Sequence, residues 1–292
     1  MRKLLVLLGL CFWSVVTMAI TKRALVIGIG NYPTTSGWAQ IHGDKDIPSV
    51  VELLERNGFQ RDHIMTLCNE QATYKGIKSA MDRLVASCQT GDCVYIHFSG
   101  HGQQITDMNG DESDGYDEAW IPYDACFTYQ KGKYEGQNHL IDDELNGILR
   151  RIRARIGKDG RLTIVADACH SGGGTRALDS DNDFVVRGMP VDSLRGGDVV
   201  FRIPGQHIAY DASKVNMVDW VMLSACKSYQ CNYEYRGSGS LTYALLQIKD
   251  QLDVLTCKEV LNRTKTIIKQ IIPYTQTPQL DISENQTQQH FL

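Results

Sequence analysis

The chain has 292 residues, 42% hydrophobic and 22% charged. That suits one large globular domain or two small ones with an ample core, and nothing in it is repeated or low in complexity. A net charge of −4 excludes the basic footprint of a nucleic-acid binder or of a protein held on an anionic membrane.

Arg2 and Lys3 precede an apolar run from Leu4 to Val16, followed by Thr17-Met18-Ala19. The run is short for a membrane span, and small residues stand where a signal peptidase reads. Residues 1–19 therefore read as a cleaved secretory signal, with an uncleaved anchor as the alternative. The expectation is a secreted or periplasmic protein without a stable membrane anchor. Eight cysteines remain after such a cleavage, in spacings that match neither a zinc ribbon nor a dense disulfide framework. One or two disulfides and buried free thiols are both compatible with them.

Lys22 to Ile29 reads as a doubly buried strand. Ile47 to Asn57 has helical periodicity and stops at Gly58, a helix-ending signal. His63 to Leu67 is a short strand, and Thr73 to Ser87 an amphipathic helix with Ile77, Ala80, Met81, Leu84 and Val85 on one face. Cys93 to Phe98 is the next strand. A glycine- and acid-rich loop is expected from Gly100 to about Tyr134. Ile141 to Ile156 is a helix that opens on Asp142, Asp143 and Glu144, acids suited to its dipole. Leu162 to Ala166 is a strand, and Ser171 to about Val218 a long loop with at most one hairpin. Trp220 to Ser224 is a strand, Ser240 to Gln251 and Cys257 to Ile271 are helices, and Gln279 to Ile282 is a final short strand. The alternation implies βαβ units. The fold class expected is α/β, a three-layer sandwich with a mostly parallel central sheet flanked by helices. After the signal, residues 20–292 form one domain: a large portion to about 176, a linker over about 177–215, and a small portion over about 216–292.

Two strands end in glycine-flanked motifs, Ser99-Gly100-His101-Gly102 and Asp167-Ala168-Cys169-His170-Ser171-Gly172. Sites form on loops at the carboxyl ends of parallel strands. A cysteine needs a nearby base or cation to react as a thiolate near neutral pH, and His101 is the available base for Cys169. The glycines let the backbone approach a substrate carbonyl, and the amides of Gly102 and Cys169 suit an oxyanion hole. Singly, each residue reads more simply as a turn histidine or a core thiol. The joint pattern favours a nucleophile and its base.

These two motifs resemble those of the caspase-like peptidases, and within them the metacaspases. The resemblance continues in Ile41-x-Gly43-x-x-Asp46 with Leu54-x-x-x-Gly58-Phe59, in the acidic run Gly110 to Glu118, and in Ile141-Asp142-Asp143-Glu144-Leu145. It implies a caspase-like fold and a cysteine endopeptidase in which Cys169 is the nucleophile and His101 the general base and acid. It also implies that Asp167 and Asp46 are acids of the pocket for the residue before the cut, which therefore takes Arg or Lys. The plainer readings are a strand-end cap for Asp167 and a helix N-cap for Asp46. Ser99 lies in the histidine motif, and Ser224-Ala225-Cys226-Lys227 resembles the segment bordering the substrate cleft, so both serines are expected to bind substrate.

Many metacaspases are activated by calcium. Asp114 and Asp117, with Asp142 and Asp143, offer hard oxygen ligands suited to Ca²⁺; the bland alternative is a solvated acidic turn. No cofactor is required for the chemistry itself. The resemblance also implies cleavage in the linker, with Arg176, Arg187, Arg195, Arg202 and Lys214 available and Arg187-Gly188 the preferred bond. The expected partner is a peptide or protein with Arg or Lys at the cut, and the expected state a monomer. The competing readings are the same dyad with an Asp or Asn preference, a non-catalytic caspase-fold interaction module, and a metal site built from His97, His101, Cys169 and His170.

Overall fold

The structure, a computed structural model, describes residues 20–106, 116–169, 184–188, 220–282 and 288–292. Residues 1–19, where the signal sequence is expected, lie outside them. Among the described residues no helix is long and apolar enough to cross a membrane.

A six-stranded sheet organises the molecule. Its parallel strands are β1 (Lys22–Gly28), β2 (Ile64–Cys68), β3 (Cys93–Ser99), β7 (Arg161–Asp167) and β8 (Val221–Ser224), and β11 (Gln279–Asp281) closes one edge antiparallel to β8. The order is β11-β8-β7-β3-β1-β2. Strands before and after the linker thus share one sheet. β1 shows why helices must cover both faces. Leu25, Ile27 and Ile29 enter one apolar cluster, and Ala24 and Val26 enter the other, as the two-residue period of a strand requires.

The first face is covered by α2 (Tyr74–Ser87) and α3 (Asp142–Ile156), the second by α1 (Gly43–Arg56), α4 (Ser240–Leu246) and α5 (Cys257–Ile271). The helices begin where their sequences supply caps. The Thr73 hydroxyl accepts from Gly76 N at 3.0 Å, and Thr256 and Glu259 form a reciprocal capping box. The three-layer α/β expectation holds.

Three local expectations change. α1 begins at Gly43, so Asp46 lies inside its first turn and is not its N-cap. α4 stops at Leu246, and a separate 3₁₀ turn follows at Lys249–Gln251. The expected loop from Gly100 contains β4 (Gly102–Thr106) and β5 (Tyr116–Trp120), antiparallel and joined by β6 (Leu140–Ile141) in a small second sheet. β4 escapes a periodicity reading because its inward Gln103 is polar. That side chain is buried and hydrogen-bonded to His139 Nε2 at 2.8 Å, so polar pairing replaces apolar alternation.

Candidate active site

β3 and β7 are neighbours with Ser99 opposite Asp167. The loops that leave their carboxyl ends therefore start side by side, and His101 and Cys169 sit on them. His101 is buried. Its Nε2 lies 2.9 Å from the Ala39 carbonyl, so that nitrogen carries the hydrogen and Nδ1 keeps a lone pair. Nδ1 is buried without a hydrogen-bond partner among the described residues. The Trp38 ring stacks on the imidazole at 4.9 Å, and the Tyr32 hydroxyl accepts from His101 N at 3.1 Å. Burial pulls the His101 pKa down to about 4, the Ala39 carbonyl opposing and the Arg187 charge assisting. The imidazole is a neutral base.

Cys169 is fully buried. Its thiol donates to the Gln230 carbonyl at 3.1 Å, and Cys226 donates to the same oxygen at 3.1 Å. Cys231 packs beside them. Hydrogen bonding with Cys226, then burial, pushes the Cys169 thiol well above its ordinary range, against a lowering contribution from Cys231. In this arrangement the sulfur is a protonated thiol.

The reason for its burial is a short piece of the chain's own linker. Residues 184–188 run through the cleft as two isolated bridges on either side of a bend at Arg187. Val186 bridges Tyr233 antiparallel and Gly188 bridges Gly102. Arg187 N donates to Asn232 O at 2.9 Å, and Glu234 N donates to Val185 O at 2.8 Å. This is the pairing of an added strand. The Arg187 carbonyl accepts from Cys169 N at 3.0 Å and from Gly102 N at 3.4 Å, the two amides expected to form an oxyanion hole. A Cβ on Gly188 would lie 2.7 Å from Cys169 Cβ and 3.1 Å from its sulfur, so the backbone presses directly on the thiol.

The Arg187 side chain is buried and enters a pocket of three acids. Nε donates to Glu234 Oε1 at 3.0 Å, and the NH2 nitrogen reaches both Asp46 at 2.9 Å and Glu234 at 2.9 Å. The NH1 nitrogen donates to the Ser99 hydroxyl and, at 3.3 Å, to the Asp167 carbonyl oxygen. The Asp167 carboxylate stands back, 3.9 Å from NH1. Its oxygens are taken by Asn232 Nδ2 at 2.7 Å and by the amide and hydroxyl of Thr242, each at 2.6 Å. Thr242 N is an otherwise orphaned donor of the first turn of α4. Asp46 also accepts from the Ser99 and Ser238 hydroxyls and from Gly239 N. Gly239 has no room for a side chain: a Cβ there would collide with the Asp167 carboxylate and the guanidinium.

Residues 22–179 match the family model for the metacaspase, peptidase C14 domain. The chain belongs to the metacaspase family. It is thus a cysteine peptidase of the C14 type. Similar curated metacaspases include Metacaspase-1 of Mycosarcoma maydis, 29% identical over 90% of this chain and 70% of that one. Metacaspase-1 of Schizosaccharomyces pombe is 28% identical over 90% of this chain and 67% of its own length. Metacaspase-1B of Aspergillus fumigatus is 36% identical over 58% of this chain and 39% of its own. A crystal structure of a Geobacter sulfurreducens protein superposes with a TM-score of 0.64 at 22% identity, covering 93% of this chain and 98% of that one; it speaks to the fold alone.

The metacaspase cleft therefore gathers His101, Gly102, Cys169, Asp46, Asp167, Ser99 and Arg187, all named from sequence. Ser224 ends β8 opposite Ala166 and is not among the guanidinium's partners. Asp114 lies outside the described residues, as do His170 and the linker cations Arg176, Arg195, Arg202 and Lys214. Asp117 is buried on β5, and Asp142 and Asp143 open α3. Among the described residues no group of three or more His, Cys, Asp or Glu side chains could hold a metal ion. His97 does not join His101; it is buried inside β3 between the Tyr95 hydroxyl and Thr242 Oγ1, each at 3.1 Å. Among the described residues, which hold eight of the nine cysteines, no disulfide is formed. Sequence reading missed Glu234 and Asn232, which lie beside Tyr233 and Tyr235 in a hairpin whose only local signal is the Arg236-Gly237 turn, with φ of 52° and 72°.

Proposed function

We propose that this metacaspase is an endopeptidase that cuts after basic residues, and that Arg187-Gly188 is its first substrate, bound in cis. The observation that carries this reading is a single residue meeting two demands. Arg187 has its guanidinium among buried carboxylates, and its carbonyl accepts from Cys169 N and Gly102 N. A buried acid cluster favours a cation over an Asp or Asn side chain, and paired amides at the carbonyl are what acyl transfer uses.

The chemistry follows from the groups in place. The Cys169 proton passes to Nδ1 of His101, and the sulfur attacks the Arg187 carbonyl carbon. The two amides hold the resulting oxyanion. Collapse breaks the Arg187-Gly188 bond, His101 gives its proton to the departing Gly188 amine, and Arg187 stays on sulfur as a thioester. Water activated by His101 then releases it. Until that happens the linker fills the cleft, so the uncut chain is self-blocked. Calcium, suggested by the acidic run, enters only as a proposed activator, and no step is routed through it.

The test compares the wild-type chain with Cys169→Ala, each with and without Ca²⁺. Expected are a new N-terminus at Gly188 by mass spectrometry, absent in Cys169→Ala, and turnover of Arg peptides once the chain is cut. Turnover of Asp or Asn peptides with Arg and Lys peptides untouched overturns the specificity. An active preparation that stays one intact chain overturns the self-cleavage.

A further inference from the structure

We infer that Glu234 is the residue that determines specificity in this pocket, and that it makes the enzyme select arginine over lysine. The inference rests on the reading that Arg187 occupies the pocket as a substrate would. Glu234 meets the guanidinium side-on, its Oε1 accepting from Nε at 3.0 Å and lying 2.9 Å from the NH2 nitrogen as an ion pair. Lysine has no donor at the Nε position, and its single ammonium cannot place two neighbouring nitrogens against the same carboxylate oxygen.

The rest of the pocket completes that match. Every N–H-bearing nitrogen of the Arg187 guanidinium has an acceptor: Glu234 at Nε, Asp46 at NH2, and the Ser99 hydroxyl and the Asp167 main-chain oxygen at NH1. A lysine here would leave some of these buried acceptors unmatched, and buried polar groups left unpaired are costly. Asp167 cannot fill Glu234's part, because its carboxylate is occupied by Asn232 and Thr242.

Glu234 is also built to stay in one place. Its side chain is 3% exposed. His42 at the start of α1 holds it twice, with the backbone N–H donating to Oε1 at 2.7 Å and ring Nδ1 lying 2.6 Å from Oε2. Arginine thus meets a carboxylate whose orientation is already fixed by α1, and the ordering cost on binding is correspondingly small.

The experiment uses the cut enzyme with peptides that differ only in Arg or Lys before the scissile bond. The wild type is expected to favour Arg in kcat/KM by roughly tenfold or more. Glu234→Gln should lower that ratio by at least about fivefold, mainly through a higher KM for Arg peptides. A structural role alone would reduce both substrates together. As a check that needs no variant, an alkylguanidine should inhibit the wild type more tightly than an alkylamine of equal length. Equal wild-type turnover of Arg and Lys peptides, or an unchanged ratio in Glu234→Gln, overturns this inference and leaves basic specificity standing. Turnover of Asp or Asn peptides alone overturns both.

Discussion

At the scale of single residues, the acids of the pocket divide their labour. Asp46 and Glu234 touch the guanidinium, whereas Asp167 holds the framework. Asp167 accepts three hydrogen bonds from two side chains and the first turn of α4. Asp167→Asn must turn an amide NH₂ towards either Asn232 or Thr242, both donors, so one contact becomes donor against donor. The expected loss is about 1–3 kcal/mol of stability, measured by urea unfolding, with Arg and Lys turnover falling in parallel. A variant as stable as the wild type refutes the framework role. The sequence made Asp167 visible because it sits two residues before Cys169, yet it suggested direct contact with the substrate cation. The structure joins its carboxylate to Asn232 and to the first turn of α4, at the pocket wall and 3.9 Å from the Arg187 NH1 nitrogen. Glu234 was illegible for a physical reason. It lies in a two-residue strand, and its partners His42 and Arg187 come from distant parts of the chain. No local periodicity marks such a residue.

At the scale of elements, the decisive piece is the strand-like segment 184–188. Arg187-Gly188 stood out in the sequence because glycine follows a basic residue in a weakly patterned stretch. The sheet geometry explains what the glycine does: Gly188 lies where any side chain would meet Cys169. Gly188→Ala should push the linker backbone off the thiol. Self-cleavage after Arg187 is expected to slow by roughly tenfold or more, since small misplacements of a reacting bond are costly. The uncut variant should hydrolyse added Arg peptides faster than the uncut wild type, because its cleft opens. Gel analysis over time, with peptide turnover measured in the same samples, reads both effects; unchanged processing would show that Gly188 is not pressed on the nucleophile. The long core elements were legible, since β3, β7, α2 and α5 each carry an unbroken apolar pattern. β4 was not, because its buried Gln103 is satisfied by His139 instead of by apolar packing.

At the scale of the whole molecule, the site and the core share one electrostatic liability. His97, His101 and His139 are all fully buried, and burial lowers each to about 4, against an ordinary value near 6.5. Below pH 6.5 the unfolded chain takes up protons that the folded chain refuses, so folding stability falls as pH drops from about 6.5 towards 4. Each histidine contributes up to about 1.4 kcal/mol per pH unit in that window. Asp46 and Asp281 work the other way: burial raises both, so the folded state binds their protons first. Three bases of the same sign outweigh two acids of which Asp46 is partly compensated by Arg187. The urea midpoint is therefore expected to be level between pH 7 and about 8, below the range in which unfolded thiols ionise, and to fall steadily between pH 6.5 and 4.5. His139→Gln, which retains a donor for Gln103, should make that fall shallower. A midpoint that stays constant down to pH 4.5 would mean that these imidazoles are protonated in the folded state. In that case His101 could not serve as the neutral base that takes the Cys169 proton.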